Sequence, residues 1–570
     1  MGLSLFNKRI CNTYPGVIKT CDNAALTVTP KPMTDGVGND VPINIGTSTI
    51  CYGGTQDFTG ATVIGISGST AGLVPGAGTS SMVSDIGITA VALQSCSISI
   101  GNAAYNCCER SINIGDGSTG LNSCTIGIGF ATSNTGVNSI ALGNNSVGTG
   151  TCSISIGQGA QSGAADSIGI GRSSNARCLN SISIGALSDV LSSNTTAVGV
   201  STCIGPSSNS SSVFGQAASV FSASSLAMGL ATCVGTNSPN SITIGCGSVV
   251  FANSCCSTVI GKNSTSCCIE NIIIGNTSCS INECGITVGH SSINDGGNSI
   301  AIGNCVQVSS DVIVPFPANV GQIAIGMCSS VNEPDAISIG RCSCVCTTPP
   351  GFIAGSMAIG KGANVYTTTG PGISIGMDSK SCNGATVLGH AAWGTGINST
   401  SISGYSVGQS SINIGGTPVV YGSFGDSSIA IGINSSTCVG ANCSIVIGGN
   451  SFVCTGVTHA VAIGRSAIAA GFASVSLGCA QSCSSYNISI GLLAKSHCLH
   501  GQAYGCLAQA CEYGAIAMGR GVVASRCNTL TTKELETCIA GCGLIVKTPD
   551  GLNSYRIAVD NSGNITTALA

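Results

Sequence analysis

The phrase Ser-Ile-x-Ile-Gly returns about every fourteen residues along most of this 570-residue chain. It reads Ser97-Ile98-Ser99-Ile100-Gly101, then Ser111-Ile112-Asn113-Ile114-Gly115, and later Ser153-Ile154-Ser155-Ile156-Gly157. Its glycines fall at 87, 101, 115, 129, 143, 157, 171, 185 and 199 without a slip. A fixed period in this range marks a solenoid, in which each repeat is one coil stacked on its neighbours. The chain is therefore expected to be a rod before it is anything else.

Within each phrase the aliphatic residues stand three and one positions before the glycine, as Ile154 and Ile156 do before Gly157. That spacing has period two and places both on one face of an extended strand. Five residues are too few for a helical stripe, and β-branched side chains suit strands. The glycine permits a turn with positive φ. Residues such as Asn144-Asn145-Ser146-Val147-Gly148 supply further turn formers around a small apolar residue. Each coil is predicted to hold two short strands and two turns, with the isoleucines stacked inside. Ile98, Ile100, Ile112, Ile114, Ile154, Ile156, Ile300 and Ile302 are the predicted roll core. The small residues between them, such as Ser99, Asn113, Ala141 and Ser155, are expected on the other face, where something else approaches closely. Thirty phrases run from Gly87 to Gly519. At roughly 4.8 Å between paired strands, the stack would be about 140 Å long.

Composition agrees with small side chains and tight turns. Glycine accounts for 82 residues, aromatics for 4% and charged residues for 7%. The net charge of −4 comes with no basic run, which excludes nucleic acid as an expected partner. Mean hydropathy is +0.44, yet no stretch approaches eighteen unbroken apolar residues, so no membrane insertion is expected. The opening Met1-Gly2-Leu3-Ser4-Leu5-Phe6 lacks the pattern of a secretory signal and fits myristoylation poorly. Synthesis and assembly in a cytoplasm are the expectation.

Ser299-Ile300-Ala301-Ile302-Gly303-Asn304, Ser428-Ile429-Ala430-Ile431-Gly432 and Ala460-Val461-Ala462-Ile463-Gly464-Arg465 closely resemble the head repeat of trimeric autotransporter adhesins, the YadA-like β-roll. The resemblance spans about residues 87–525. It implies an all-β, left-handed parallel β-roll with three chains around a threefold axis. The ends depart from that family, with no export signal, stalk or membrane-barrel segment read in them. Residues 543–565 read as a small β-meander with turns at Pro549-Asp550-Gly551 and Asn561-Ser562-Gly563. This looks like the closing hairpin of bacteriophage structural and fibre proteins. The stretch from Tyr14 to Asn39 resembles the virion-anchoring start of phage appendage proteins.

The expected organisation is an anchoring segment at 1–45, irregular lead-in coils at 46–86, the roll at 87–525, and a linker or short helix with a β-hairpin cap at 526–570. The expected function is a homotrimeric virion fibre, of tail or head, for host attachment. It would hold a virion attachment protein through residues 1–45 and meet a host-surface receptor or glycan. A bacterial trimeric surface adhesin, located at the cell surface, and an architectural sheath without a ligand are the alternatives. No carboxylate pair, nucleophile triad or phosphate loop is recognisable, so neither enzymatic activity nor a cofactor is expected.

Thirty-five cysteines are unusual in a chain read as unexported. Many occupy fixed places in the period: Cys96, Cys124, Cys152, Cys256, Cys284 and Cys443 stand five before a motif glycine, and Cys108, Cys178, Cys268 and Cys498 seven before. They are expected to be reduced and buried as small fillers, with disulfides formed after release as the alternative. Cys342-Ser343-Cys344-Val345-Cys346 and His497-Cys498-Leu499-His500 are the densest metal candidates, but neither has the spacing of a zinc module, so no metal is assigned. Interruptions of the period point to surface bulges. Phe316, Phe352, Trp393, Tyr421 and Phe424 lie near them and are the candidate receptor contacts.

Overall fold

The computed structural model describes residues 89–309, 321–347, 354–415, 422–535 and 544–570, with shorter stretches between 19 and 86. The repeat folds as a parallel β-solenoid of about thirty coils. Each coil contributes one strand from the Ile-x-Ile triplet, here called an A strand, and a two-to-four-residue B strand on the opposite side. Ile154–Ile156 is one A strand, and Gln161–Ser162 is the B strand that follows. Ile154 pairs with Ile140 behind it and Ile168 ahead, each fourteen residues away and in register. The Gly157 amide donates to the Leu142 carbonyl at 2.7 Å, and the Ile154 amide to that of Ser167 at 2.9 Å. Backbone hydrogen bonds therefore run along the rod, from coil to coil. Among the described residues there is no helix, including over 533–535.

The interior is not where the isoleucine pattern places it. In the A strands the middle residue is buried and its two neighbours are half-exposed, as in Ile98–Ile100, Ile112–Ile114, Ile154–Ile156 and Ile300–Asn304. Ser99, Asn113, Ser155 and Ala301 have no exposed surface. Ile98, Ile100, Ile112, Ile114, Ile154, Ile156, Ile300 and Ile302 all point away from the coil's interior. The physical reason is width. Two strands joined by tight turns enclose a slot filled mostly by Ala, Ser, Thr, Val or Asn, with few larger residues such as Ile204 and Ile273, and large side chains in every coil would overpack it. The core is thus a column of small residues, exemplified by Ala301, Val308, Ala324, Val331, Val345 and Ala358. Most of its hydroxyls find partners within the slot: Ser155 Oγ donates to the Val147 carbonyl at 2.6 Å and lies 2.8 Å from Ser162 Oγ. Satisfied in this way, buried polar groups carry little penalty.

The motif glycine closes the A strand at φ near +130°, and a Cβ on Gly157 would stand 2.4 Å from the Gly171 carbonyl oxygen. Neither a side chain nor an ordinary L conformation fits there. The second turn, leading from the B strand back to the next A strand, holds a non-glycine residue with φ between about +50° and +60° in coil after coil. Cys96, Cys124, Cys152, Cys256, Cys284 and Cys443 all occupy it. Their side chains are exposed or half-exposed, and none of the free cysteines among the described residues is buried. The buried-filler reading is overturned, because a left-handed turn residue directs its Cβ outward rather than into the slot.

The longest interruptions leave the stack intact. Ile300 pairs directly with Ile323, and Ile337 with Met357. The extra residues, 310–320 and 348–353, fall between a B strand and the next A strand, outside the described residues. Toward the N-terminus, four antiparallel strands, Lys19–Thr20, Lys31–Thr34, Asp40–Ile45 and Ile50–Tyr52, form a separate sheet. Ser84–Ile86 pairs in parallel with Ile98–Ile100 and begins the stack. At the other end Leu544–Lys547, Ser554–Val559 and Ile565–Leu569 make a three-stranded antiparallel sheet, the meander read from its two turns and one strand more than a single hairpin. Its turns carry Gly551 at φ 72° and Gly563 at φ 82°.

Candidate functional site: an aliphatic face and an aromatic column

Because coils stack in register, each outward position becomes a straight row along the rod. The A face carries two such rows. From Ile98 to Thr532 no outward position of the Ile-x-Ile triplet is charged. Most are Ile, Leu, Val or Met, and Ile128, Ile272, Ile274 and Met518 are each more than 40% exposed. The B face differs in character. Its outward row mixes Gln161, Asn175, Asp189, Cys203, Lys380 and Lys495 with aromatic and aliphatic residues. One face is therefore uncharged and largely aliphatic, and the other is chemically varied.

Trp393 stands in the B row. Its register partners are Lys380 behind and Tyr405 ahead. The Trp393 and Tyr405 rings meet edge to face with centroids 5.2 Å apart, and Tyr405 meets Phe424 in the same way at 5.4 Å. Lys380 Nζ lies 5.2 Å from the centre of the indole. The position over Tyr405 is taken by Gly422, where a Cβ would come within 1.8 Å of the Tyr405 carbonyl oxygen. Only a glycine allows that close approach, and Phe424, two residues on, supplies the ring. The result is a continuous column of a cation and three rings on the outside of the rod, with Trp393 39% exposed. Edge-to-face pairs and a cation over an aromatic face favour such a column by about 0.5–1.5 kcal/mol per contact. Exposed, rigid aromatic surface of this kind suits stacking against a sugar ring or an apolar side chain. Of the five predicted contacts, the structure thus joins Trp393 and Phe424. Phe316, Phe352 and Tyr421 lie outside the described residues. Tyr405, which completes the column, was missed because no insertion marks it; the available signal was a shortened coil, since Tyr405 follows its register partner Trp393 by twelve residues rather than fourteen.

The cysteine-rich segment also resolves. Cys344 and Cys346 share one face of a B strand and are joined by a disulfide, whereas Cys342 sits apart in the preceding turn at φ 55°. His497 follows a B strand, and His500 occupies the left-handed turn between the rings of Tyr486 and Tyr513. Among the described residues no three His, Cys, Asp or Glu side chains gather as metal ligands.

One buried acid has no counterpart in the sequence expectations. Glu333 points into the slot, where it accepts hydrogen bonds from the Ser356 amide at 3.1 Å and the Thr367 hydroxyl at 3.3 Å. Burial pushes its carboxyl above the ordinary value of 4.5, and these hydrogen bonds offset part of that rise.

No model of a known protein family matches the chain, and no curated protein matches it. What fold and surface define is a class: a long parallel β-solenoid with one largely aliphatic face and one chemically varied face.

Proposed function

We propose that the chain is the subunit of a homotrimeric virion fibre, tail or head, that attaches to a host surface. The observation that carries this reading is the A face, an uncharged aliphatic surface running the length of thirty coils. An apolar patch of that extent calls for a partner. Three rolls around a threefold axis cover all three A faces at once, and a cyclic arrangement closes without leaving a fresh surface. The likeness of the repeat to the YadA-like β-roll supports both this symmetry and a left-handed winding. The mixed B face then lies outward, and the Lys380–Trp393–Tyr405–Phe424 column is displayed three times. Multivalent display strengthens weak contacts with a receptor or glycan wherever the geometry allows simultaneous engagement. Residues 1–45 are the segment that holds the virion. In this reading the protein is structural and takes no cofactor.

Light scattering on the full-length protein, with and without reductant, tests the assembly. About three times 55.8 kDa in both conditions supports a non-covalent trimer. A monomeric mass sinks the fibre reading, and a trimer lost under reductant makes disulfides its cement.

A further inference from the structure

Each coil has two edges: the turn after the A strand and the turn before it. In a ring of three rolls with A faces inward, the first edge of one chain must meet the second edge of the next. Near the C-terminal end of the stack these edges are unlike and complementary. On the edge before the A strand, the rings of Phe472, Tyr486, His500 and Tyr513 stack from coil to coil with centroids 5.1–5.6 Å apart. Phe472, Tyr486 and Tyr513 are 41%, 48% and 47% exposed. On the opposite edge of the same coils stand Leu492, Leu493 and Leu507, at 56%, 50% and 42% exposed. Tyr486 and Leu492–Leu493 flank one A strand, Ile488–Ile490, and so lie at one level of the rod. One coil beyond Leu507, Ile516–Met518 is flanked by exposed Glu512 on the aromatic edge and exposed Arg520 on the leucine edge.

We propose that these edges form an inter-chain clasp, the aromatic ladder of one copy being covered by the leucine edge of the next, with Arg520 of one chain meeting Glu512 of its neighbour. This rests on the A-face assembly proposed above. It adds axial register, because most coils of the A face repeat isoleucine, with departures such as Gln502 and Tyr504, and repeated isoleucines alone let the chains slip by a coil. A local apolar match closed by an opposite-charge pair distinguishes one axial register from all others. The rings are held by their neighbours before contact, so little side-chain freedom is lost when they are covered.

The test places a benzophenone amino acid at Tyr486 in the full-length protein. After irradiation, the clasp predicts a reductant-resistant adduct of about twice the chain mass, mapped by mass spectrometry to residues 492–507 of another chain. Arg520→Glu should reduce its yield several-fold, and adding Glu512→Arg should restore it. A trimeric mass in solution with no inter-chain adduct, or with adducts only inside one chain, overturns the clasp and leaves the A-face assembly standing. A monomeric mass overturns both. Protection of the probe by added glycan, without an inter-chain adduct, also overturns the clasp and marks the ladder as a ligand surface.

Discussion

At the residue scale, the decisive quantity is the width of the slot. Ser155 fills it with a hydroxyl that is hydrogen-bonded on both sides, so Ser155→Leu should overpack it and cost about 1–3 kcal/mol. Ile156→Leu, on the outward row, should leave the melting temperature nearly unchanged. Thermal melts of the two variants check the assignment, and equal effects would refute it. Glu333 makes a second prediction. Its carboxyl is raised, so its favourable contribution is fully present below about pH 4.5 and fades as pH rises through the raised value. Glu333→Gln should therefore raise stability at neutral pH and flatten the pH dependence in that window, as read from melting temperature against pH. Thiol reactivity supplies a third. Partial burial, with a neighbouring thiol, pushes Cys108 and Cys267 to about 11. Since the thiolate is the nucleophile, both should lag behind exposed Cys96 and Cys152 when the native protein is alkylated near pH 8 and the sites are followed by mass spectrometry.

At the element scale, much of the coil was legible from sequence, and the inversion of its faces has a definite cause. Period two says that Ile154 and Ile156 share a face, but it does not say which face is inside. Hydrophobicity votes for the isoleucines; volume votes for Ser155. In a roll one coil wide, volume wins, and the apolar row faces outward rather than into the chain's own core. The cysteines were misread for a similar reason, since their place five before the glycine fixes a left-handed turn and not a burial. Glu333 was illegible because nothing in Asn332-Glu333-Pro334-Asp335 separates a buried acid from a turn acid. The aromatic column was half legible: Trp393 and Phe424 stood out, while Tyr405 emerges only once the register is known. Trp393→Ala should remove two column contacts, about 1–2 kcal/mol in all, too little to unfold the rod. Under the proposed function, binding to host-surface glycan should nonetheless fall at least tenfold on a glycan array. Unchanged binding would move recognition to another face.

At the scale of the whole molecule, the A face is the surface proposed to govern assembly. Aspartates at Ile154, Ile156, Ile168 and Ile170 together would set a band of charge where three chains are proposed to meet. The expected outcome is an unchanged β signal in the far ultraviolet with loss or fraying of the trimer by light scattering, because burying unpaired charge is costly. Collapse of the β signal would instead return these side chains to the coil's own interior.

The orientation of the backbone ladder has a mechanical consequence. Each coil is held to the next by hydrogen bonds directed along the rod, while the covalent chain winds across it. A pull on the two ends therefore loads these bonds one coil at a time, as in peeling, whereas compression presses every coil onto its neighbour. Each coil released under tension would exchange about 4.8 Å of rod for up to about 50 Å of extended chain. Such a filament resists being pushed and yields stepwise when drawn, absorbing work as it lengthens instead of snapping.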